Sequence, residues 1–200
     1  HLDYILRGIT FPDGITTNLL DPCCGEGIAL RHLAMGNNCM TYGVELDESR
    51  AEQAQNNLHR VAIGDYFRAR ICQRAFHLML LNPPYLYTAS NRGRVRAELQ
   101  FLNSSVHHLA IGGLLVYIIP YYRLTPEIAK VLAAHFEDLE IYRFVGKEFQ
   151  IHRQIAVLGV RKECIPTPET ADRLCSSVRM VDDLKELTEL PQGRFMLPKI

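Results

Sequence analysis

Asn18-Leu19-Leu20-Asp21-Pro22-Cys23-Cys24-Gly25-Glu26-Gly27 decides the fold class of this chain. A short apolar run, Asn18 to Cys23, reads as a strand. It closes on an acid, a proline and a glycine-rich turn, and a helix should follow from about Gly27 to Met35. Glycines there let the backbone turn sharply and come close to a ligand without a Cβ in the way. In open α/β sheets, ligands sit above the carboxyl ends of the strands.

Outward from that turn, apolar runs and helical stretches alternate. Met40 to Leu46 and Arg60 to Ile63 read as strands, with a helix from Glu48 to Leu58 between them, capped by Asp47. Phe76 to Asn82 is a further strand, halted by Pro83-Pro84, which can continue neither a ladder nor a helix. Arg94 to Ala110 reads as one long helix, Gly113 to Pro120 as a fully covered central strand, and Pro126 to His135 as a helix. Leu139 to Val145 and Gln154 to Arg161 follow, joined by Gly146 to Arg153. That link has no room for a helix, so the two should pair antiparallel at the sheet edge. The expectation is a seven-stranded, mostly parallel, doubly wound α/β sheet. Residues 1–162 are read as one catalytic domain. Residues 163–200 are read as a linker (IPTPET) and an appendage with a helix at about Val181 to Leu190, possessing the look of the start of a further region.

The bulk properties set bounds. With 200 residues, 48% of them hydrophobic, the chain can bury one sizeable core. Its 22 basic and 22 acidic residues balance, which counts mildly against free-standing binding to nucleic acid, where phosphate contacts favour a basic surplus. No apolar run is long enough to span a membrane, and the first residues lack a leader pattern. The six cysteines form no CxxC pair and no zinc spacing. Reduced thiols, no metal and a cytoplasmic location are the expectation.

Glu45, at the end of the second strand, lies 18 residues beyond Gly27, a spacing at which an acid accepts from ribose hydroxyls. Asp47 fits better as the cap of the next helix. Asp65, in Gly64-Asp65-Tyr66-Phe67, is placed to accept from an adenine amino group or simply to close a turn. A dinucleotide fingerprint would need a third glycine where Leu30 stands, and no Walker A lysine follows. Asn82-Pro83-Pro84-Tyr85 carries more specific chemistry. A nitrogen with a delocalised lone pair reacts when two acceptors hold its N–H groups and aim the lone pair. The Asn82 side-chain oxygen and a proline-released carbonyl supply such acceptors, and Tyr85 a stacking face. Arg92, Arg94 and Arg96 follow as phosphate contacts or as a solvated helix start. Tyr121-Tyr122-Arg123 reads as cleft lining or packing.

Taken in order, Asp21–Gly27, Glu45, Asp65 and Asn82–Tyr85 resemble a class I S-adenosylmethionine (SAM)-dependent methyltransferase over about residues 18–161. The tetrad resembles that of N6-adenine DNA methyltransferases. DPCCGEG, GVELD and the Gln154 to Arg161 strand also resemble a methyltransferase-like family of bacterial mobile elements. The resemblance implies a Rossmann-like fold and SAM as cofactor, held by Asp21, Cys23, Gly25, Gly27, Glu45, Leu46, Asp65 and Tyr66. Catalysis falls to Asn82, Pro83, Pro84 and Tyr85. The implied substrate is the N6 amine of adenine, in DNA before RNA, with a separate target-recognition domain or subunit as a further partner. The tetrad is shared with enzymes acting on adenine in RNA or on a protein glutamine amide, so both stay open, as does a SAM-binding subunit serving a partner enzyme. The upstream Phe or Tyr segment typical of the DNA enzymes has no counterpart beyond Phe11-Pro12, and 163–200 is short for a target-recognition domain.

Overall fold

In the computed structural model, residues 1–84, 87–90 and 93–200 are described, with side-chain surroundings for all of these except 87–90, 93–95 and 148. Seven strands form the main sheet: β1 Thr17–Asp21, β2 Cys39–Glu45, β3 Arg60–Ile63, β4 Phe76–Leu81, β5 Leu109–Pro120, β6 Phe136–Arg143 and β7 Gln154–Arg161. Their order is β3-β2-β1-β4-β5-β7-β6. The strands run parallel from β3 to β5, while β7 is antiparallel to both β5 and β6. This is a Rossmann-like class I methyltransferase fold with an antiparallel edge, as the alternation of apolar runs and helices predicts. Because β7 alone is reversed, its amino end meets the carboxyl ends of all the others: Gln154 lies opposite Pro120, and Ile155 opposite Arg143.

Strand alternation sorts the core into two layers. Leu20, Met79, Leu81, Leu115, Tyr117 and Ile119 face one side, where α4 (Ala97–Ser105), α5 (Pro126–His135) and α7 (Pro168–Arg179) cover them. Leu19, Leu78, Leu80, Leu114, Val116 and Ile118 face the other, under α1 (Leu2–Arg7), α2 (Ile28–Ala34) and α3 (Glu48–Asn57). Residues 163–200 contribute to both layers. Ala171, Leu174 and Val178 of α7 pack with α5, and Leu187, Leu190, Phe195 and Leu197 close the opposite layer. Phe195–Met196 also pairs in parallel with Ile9–Thr10.

Three local expectations are corrected. The link between β6 and β7 holds a short helix, α6 (Gly146–His152), bracketed by left-handed Gly146 (φ 67°) and Arg153 (φ 54°). Among its described side chains only Phe149 reaches the core, so no apolar periodicity announces it. The antiparallel pairing survives, because two helical turns add length without forcing a crossover to a parallel strand. The long helix expected over Arg94 to Ala110 is divided: Gly93–Arg96 pairs with Tyr87–Ser90, α4 ends at Ser105, and β5 already begins at Leu109. The last helix lies at Pro168–Arg179, whereas Val181 to Leu190 forms only 3-10 turns. The Thr167-Pro168 pair taken as linker is a helix start, since proline suits the first helical position.

Leu80 is fully buried on the central strand β4. Leu80→Ala is expected to lower the unfolding free energy by about 2–5 kcal/mol, and loss of the α3 cap in Asp47→Ala by about 1 kcal/mol. Urea denaturation of both variants measures the contrast.

Candidate active site

The carboxyl edge of the sheet is organised by one side chain. Glu45, buried at the end of β2, accepts from Gly25 N–H through Oε2 at 2.8 Å and from Asp47 N–H through Oε1 at 2.9 Å. It thereby fastens the glycine turn after β1 to the end of β2. Asp47 caps α3, accepting from Arg50 N–H at 2.9 Å, as its place before that helix suggests. The turn is further held by Cys24 N–H to the Val44 carbonyl at 2.9 Å and Gly27 N–H to the Cys24 carbonyl at 2.8 Å.

Gly25 and Gly27 both sit in the left-handed region, at φ 56° and 77°, which explains glycine at each. A Cβ would meet the Arg50 guanidinium at 2.3 Å from Gly25 and Leu58 at 2.8 Å from Gly27. Their side-chain directions therefore face the protein itself, and the close approach they permit is first of all to α3 and its end. Arg50, overlooked in the sequence, lies over the turn for that reason.

Asp21 is buried at the end of β1 and accepts from Cys23 N–H at 3.0 Å. Burial raises its pKa from 3.8 to about 7; the Cys23 hydrogen bonds oppose the rise and the Glu45 charge adds to it. Burial likewise pushes the Cys23 thiol well up and Cys24 to about 12. Two buried carboxyl groups thus lie together with no side-chain ion pair to either among the described residues.

Leu46 is 72% exposed beside them. Ile63 and Phe67, which the sequence reading missed as site residues, are further exposed apolar residues at the end of β3 and in the turn that follows it. Asp65 uses Oδ1 to cap the turn at Phe67 N–H, 3.0 Å away. Tyr66 turns inward, stacked on Phe101 and bonded to His108 at 3.0 Å. Of the expected cofactor residues, Tyr66 is directed into the core, and Cys23 packs against the same core layer.

Asn82-Pro83-Pro84 ends β4 next to the same turn, and the Cys23 thiol donates to the Asn82 carbonyl at 3.3 Å. Proline at 83 keeps Asn82 extended. Asn82 lines a cavity of about 420 Å³ with Ile118, Phe144, Gln154, Ala29 and His32, closed by His1, Leu2 and Asp3. Phe144 stacks on His1 at 4.4 Å. Phe144 and Gln154 went unnoticed in the sequence, although the strand-end rule points to them: each stands at an end of β6 or β7 on the carboxyl edge. Tyr85 lies outside the described residues, as does Arg92. Among the described residues no cluster of three or more His, Cys, Asp or Glu side chains could hold a metal ion, and no helix is long and apolar enough to cross a membrane.

Residues 1–200 match the model of an uncharacterised methyltransferase family, DUF6094. The chain belongs to that family. It is similar to a tRNA (guanine(10)-N2)-dimethyltransferase of Methanothermobacter thermautotrophicus, 31% identical over 52% of this chain and 33% of the relative. It is also similar to a tRNA1(Val) (adenine(37)-N6)-methyltransferase of Haemophilus influenzae, 29% identical over 52% of this chain and 53% of the relative. The matched regions thus span about a third and a half of those proteins. Among solved structures, a class I SAM-dependent methyltransferase from Listeria monocytogenes superposes with a TM-score of 0.68 at 14% identity, covering 88% of this chain and 68% of that one. A methyltransferase family on this fold takes SAM as its cofactor. The ranking of DNA above RNA as partner is overturned, since both named relatives act on tRNA. An N-P-P-Y tetrad shared among amine-methylating enzymes could not have ordered the two.

The residues present fit SAM. Two buried carboxyl groups suit a ligand bearing a sulfonium and an ammonium, and exposed Leu46, Ile63 and Phe67 suit an adenine face. Glu45→Ala is expected to weaken SAM binding in calorimetry by about 1.5–3 kcal/mol. The pKa of Asp21 is raised in the fold, so between about pH 4 and 7 the folded state retains a proton that the unfolded state has lost. Wild-type stability should therefore fall across that window relative to Asp21→Asn, and no further above it. Thermal denaturation of the two ligand-free proteins from pH 4 to 8 measures the divergence.

Proposed function

We propose that this protein transfers a methyl group from SAM to an exocyclic base amine in RNA, with the N6 of adenine as the simplest target. The observation that carries the reading is Asn82 at the end of β4, lining a cavity of about 420 Å³ beside the turn that Glu45 anchors, with Pro83-Pro84 following it. Two tRNA-methylating relatives, one acting on a guanine N2 and one on an adenine N6, support an exocyclic amine in RNA as the acceptor.

Gly25, Gly27, Glu45 and Leu46 hold the cofactor, Glu45 toward its ribose and Asp21 toward its cationic end. Bound SAM supplies an electrophilic methyl on sulfur. The remaining work is done by the chain's own dipoles. The Asn82 side-chain oxygen and the Pro83 carbonyl accept the two N–H groups of the target amine and turn its lone pair toward the methyl. The same dipoles stabilise the positive charge that grows on nitrogen as the bond forms. Phe144, which lines the cavity, supplies an apolar wall for a planar base. A base enters such a pocket only after leaving its stack, which costs least in single-stranded or loop RNA.

The test is tritiated-methyl transfer from SAM to RNA, DNA and protein in parallel, with nucleoside analysis of the labelled product. Label in RNA as a base-N-methylated nucleoside is expected. Asn82→Ala should lose about 100–1,000-fold in rate while SAM affinity in calorimetry stays put. Label confined to DNA or protein removes the RNA assignment, and a wild-type rate in Asn82→Ala removes the proposed role of that residue.

A further inference from the structure

The overall charge is even, yet the rim beside the Asn82 cavity is not. Glu98, wholly buried near the start of α4, is gripped by Arg96 through bonds of 2.9 and 3.2 Å and approached by Arg123 at 3.6 Å. A third guanidinium group comes from Arg153, whose carbonyl accepts from Tyr121 N–H at 2.9 Å. Arg153 forms no side-chain ion pair among the described residues and lies over Phe149 at 5.5 Å. Glu127, the acid near this corner on α5, is bonded to its own amide and the Thr125 hydroxyl. Among the described side chains, Arg96 and Arg123 share the Glu98 carboxylate, and Arg153 has no ion pair.

Beside Arg123 stands Tyr122, 57% exposed. Tyr121 braces its edge at 5.6 Å and 83°, and the Arg123 guanidinium lies over its ring at 5.0 Å. A tyrosine fixed by both chain neighbours while more than half open to solvent is a ready platform for a flat partner. Its place is set by register. Gln154 lines the Asn82 cavity and sits opposite Pro120, so Tyr121 and Tyr122 begin immediately beyond the cavity edge.

We propose that the Tyr121–Arg123 turn, with Arg96 and Arg153, is the docking surface for the RNA strand adjoining the methylated nucleotide. This inference rests on the RNA reading above. Tyr122 stacks on a neighbouring base through its open face, a contact available to any base because each has a π-face. The guanidinium groups hold the flanking phosphates, and Glu98 keeps two of them in place so that they are not free to collapse onto the strand ends. The surface selects unstacked strand, since a base within a duplex has no free face to offer Tyr122.

The experiment is fluorescence anisotropy with a fluorescein-labelled, single-stranded, mixed-sequence oligoribonucleotide, followed by methyl transfer to the same RNA. Tyr122→Ala should weaken RNA binding by about ten- to a hundredfold and raise KM for RNA by a like factor, with SAM affinity and circular dichroism unchanged. Tyr122→Phe, which keeps the ring, should restore binding. Arg153→Ala should lower the slope of log K against log salt by about one. Wild-type RNA affinity in Tyr122→Ala overturns the inference even where RNA is methylated. Tyr122-dependent RNA binding without any methylation of RNA leaves the surface standing and removes the reading of the reaction. Tighter, Tyr122-dependent binding of the same sequence as duplex DNA overturns the assignment to RNA.

Discussion

A single buried carboxylate between two backbone amides sets the geometry of this protein's working edge. Glu45 takes the Gly25 and Asp47 N–H groups at 2.8 and 2.9 Å, so the turn leaving β1 and the turn leaving β2 cannot move independently. Hydrogen bonds to a charged acceptor are stronger than neutral ones, and here they join elements that the sheet itself holds only up to their last residues. Asp47 extends the tie into α3, and Arg50 returns from α3 to lie on Gly25. Asn82 joins the same frame through the Cys23 thiol on its carbonyl. The residues proposed for cofactor and substrate are thus fixed by one short chain of contacts.

The reversed strand β7 adds the other half. By running against its neighbours it brings an amino end, Gln154, to an edge otherwise made of carboxyl ends. It also allows β6 to deliver Phe144 to the same side.

Much of this was legible in the sequence because the chain obeys strand rules closely. The seven apolar runs lie where the strands are, and the antiparallel edge is as expected, although the link before Gln154, expected to have no room for a helix, is nearly filled by α6. Glu45, Asp47 and Asn82 could be placed by their positions at strand ends. What escaped has physical reasons. α6 buries Phe149 at its centre with no repeating apolar face, so periodicity cannot reveal it. Tyr66 follows a strand end like the site residues, but stacking on Phe101 and a hydrogen bond with His108 hold its ring inward, a tertiary contact that local pattern does not encode. Phe144, Gln154 and Arg50 join the site from distant segments through register and side-chain reach, neither of which local pattern encodes. The choice between DNA and RNA depends on surface that a turn tetrad does not describe.

The cysteine pair in the turn has a further consequence. Thiols attack electrophiles as thiolates, and burial together with the Asp21 and Glu45 charges keeps Cys23 and Cys24 firmly protonated. The small, polarizable Cys24 side chain fills the narrow space against Gly43, where a Cβ would stand only 2.5 Å from its sulfur. The turn thereby gains the packing of sulfur without its nucleophilicity. An alkylating molecule seated above the turn would meet both sulfurs in the less nucleophilic thiol form.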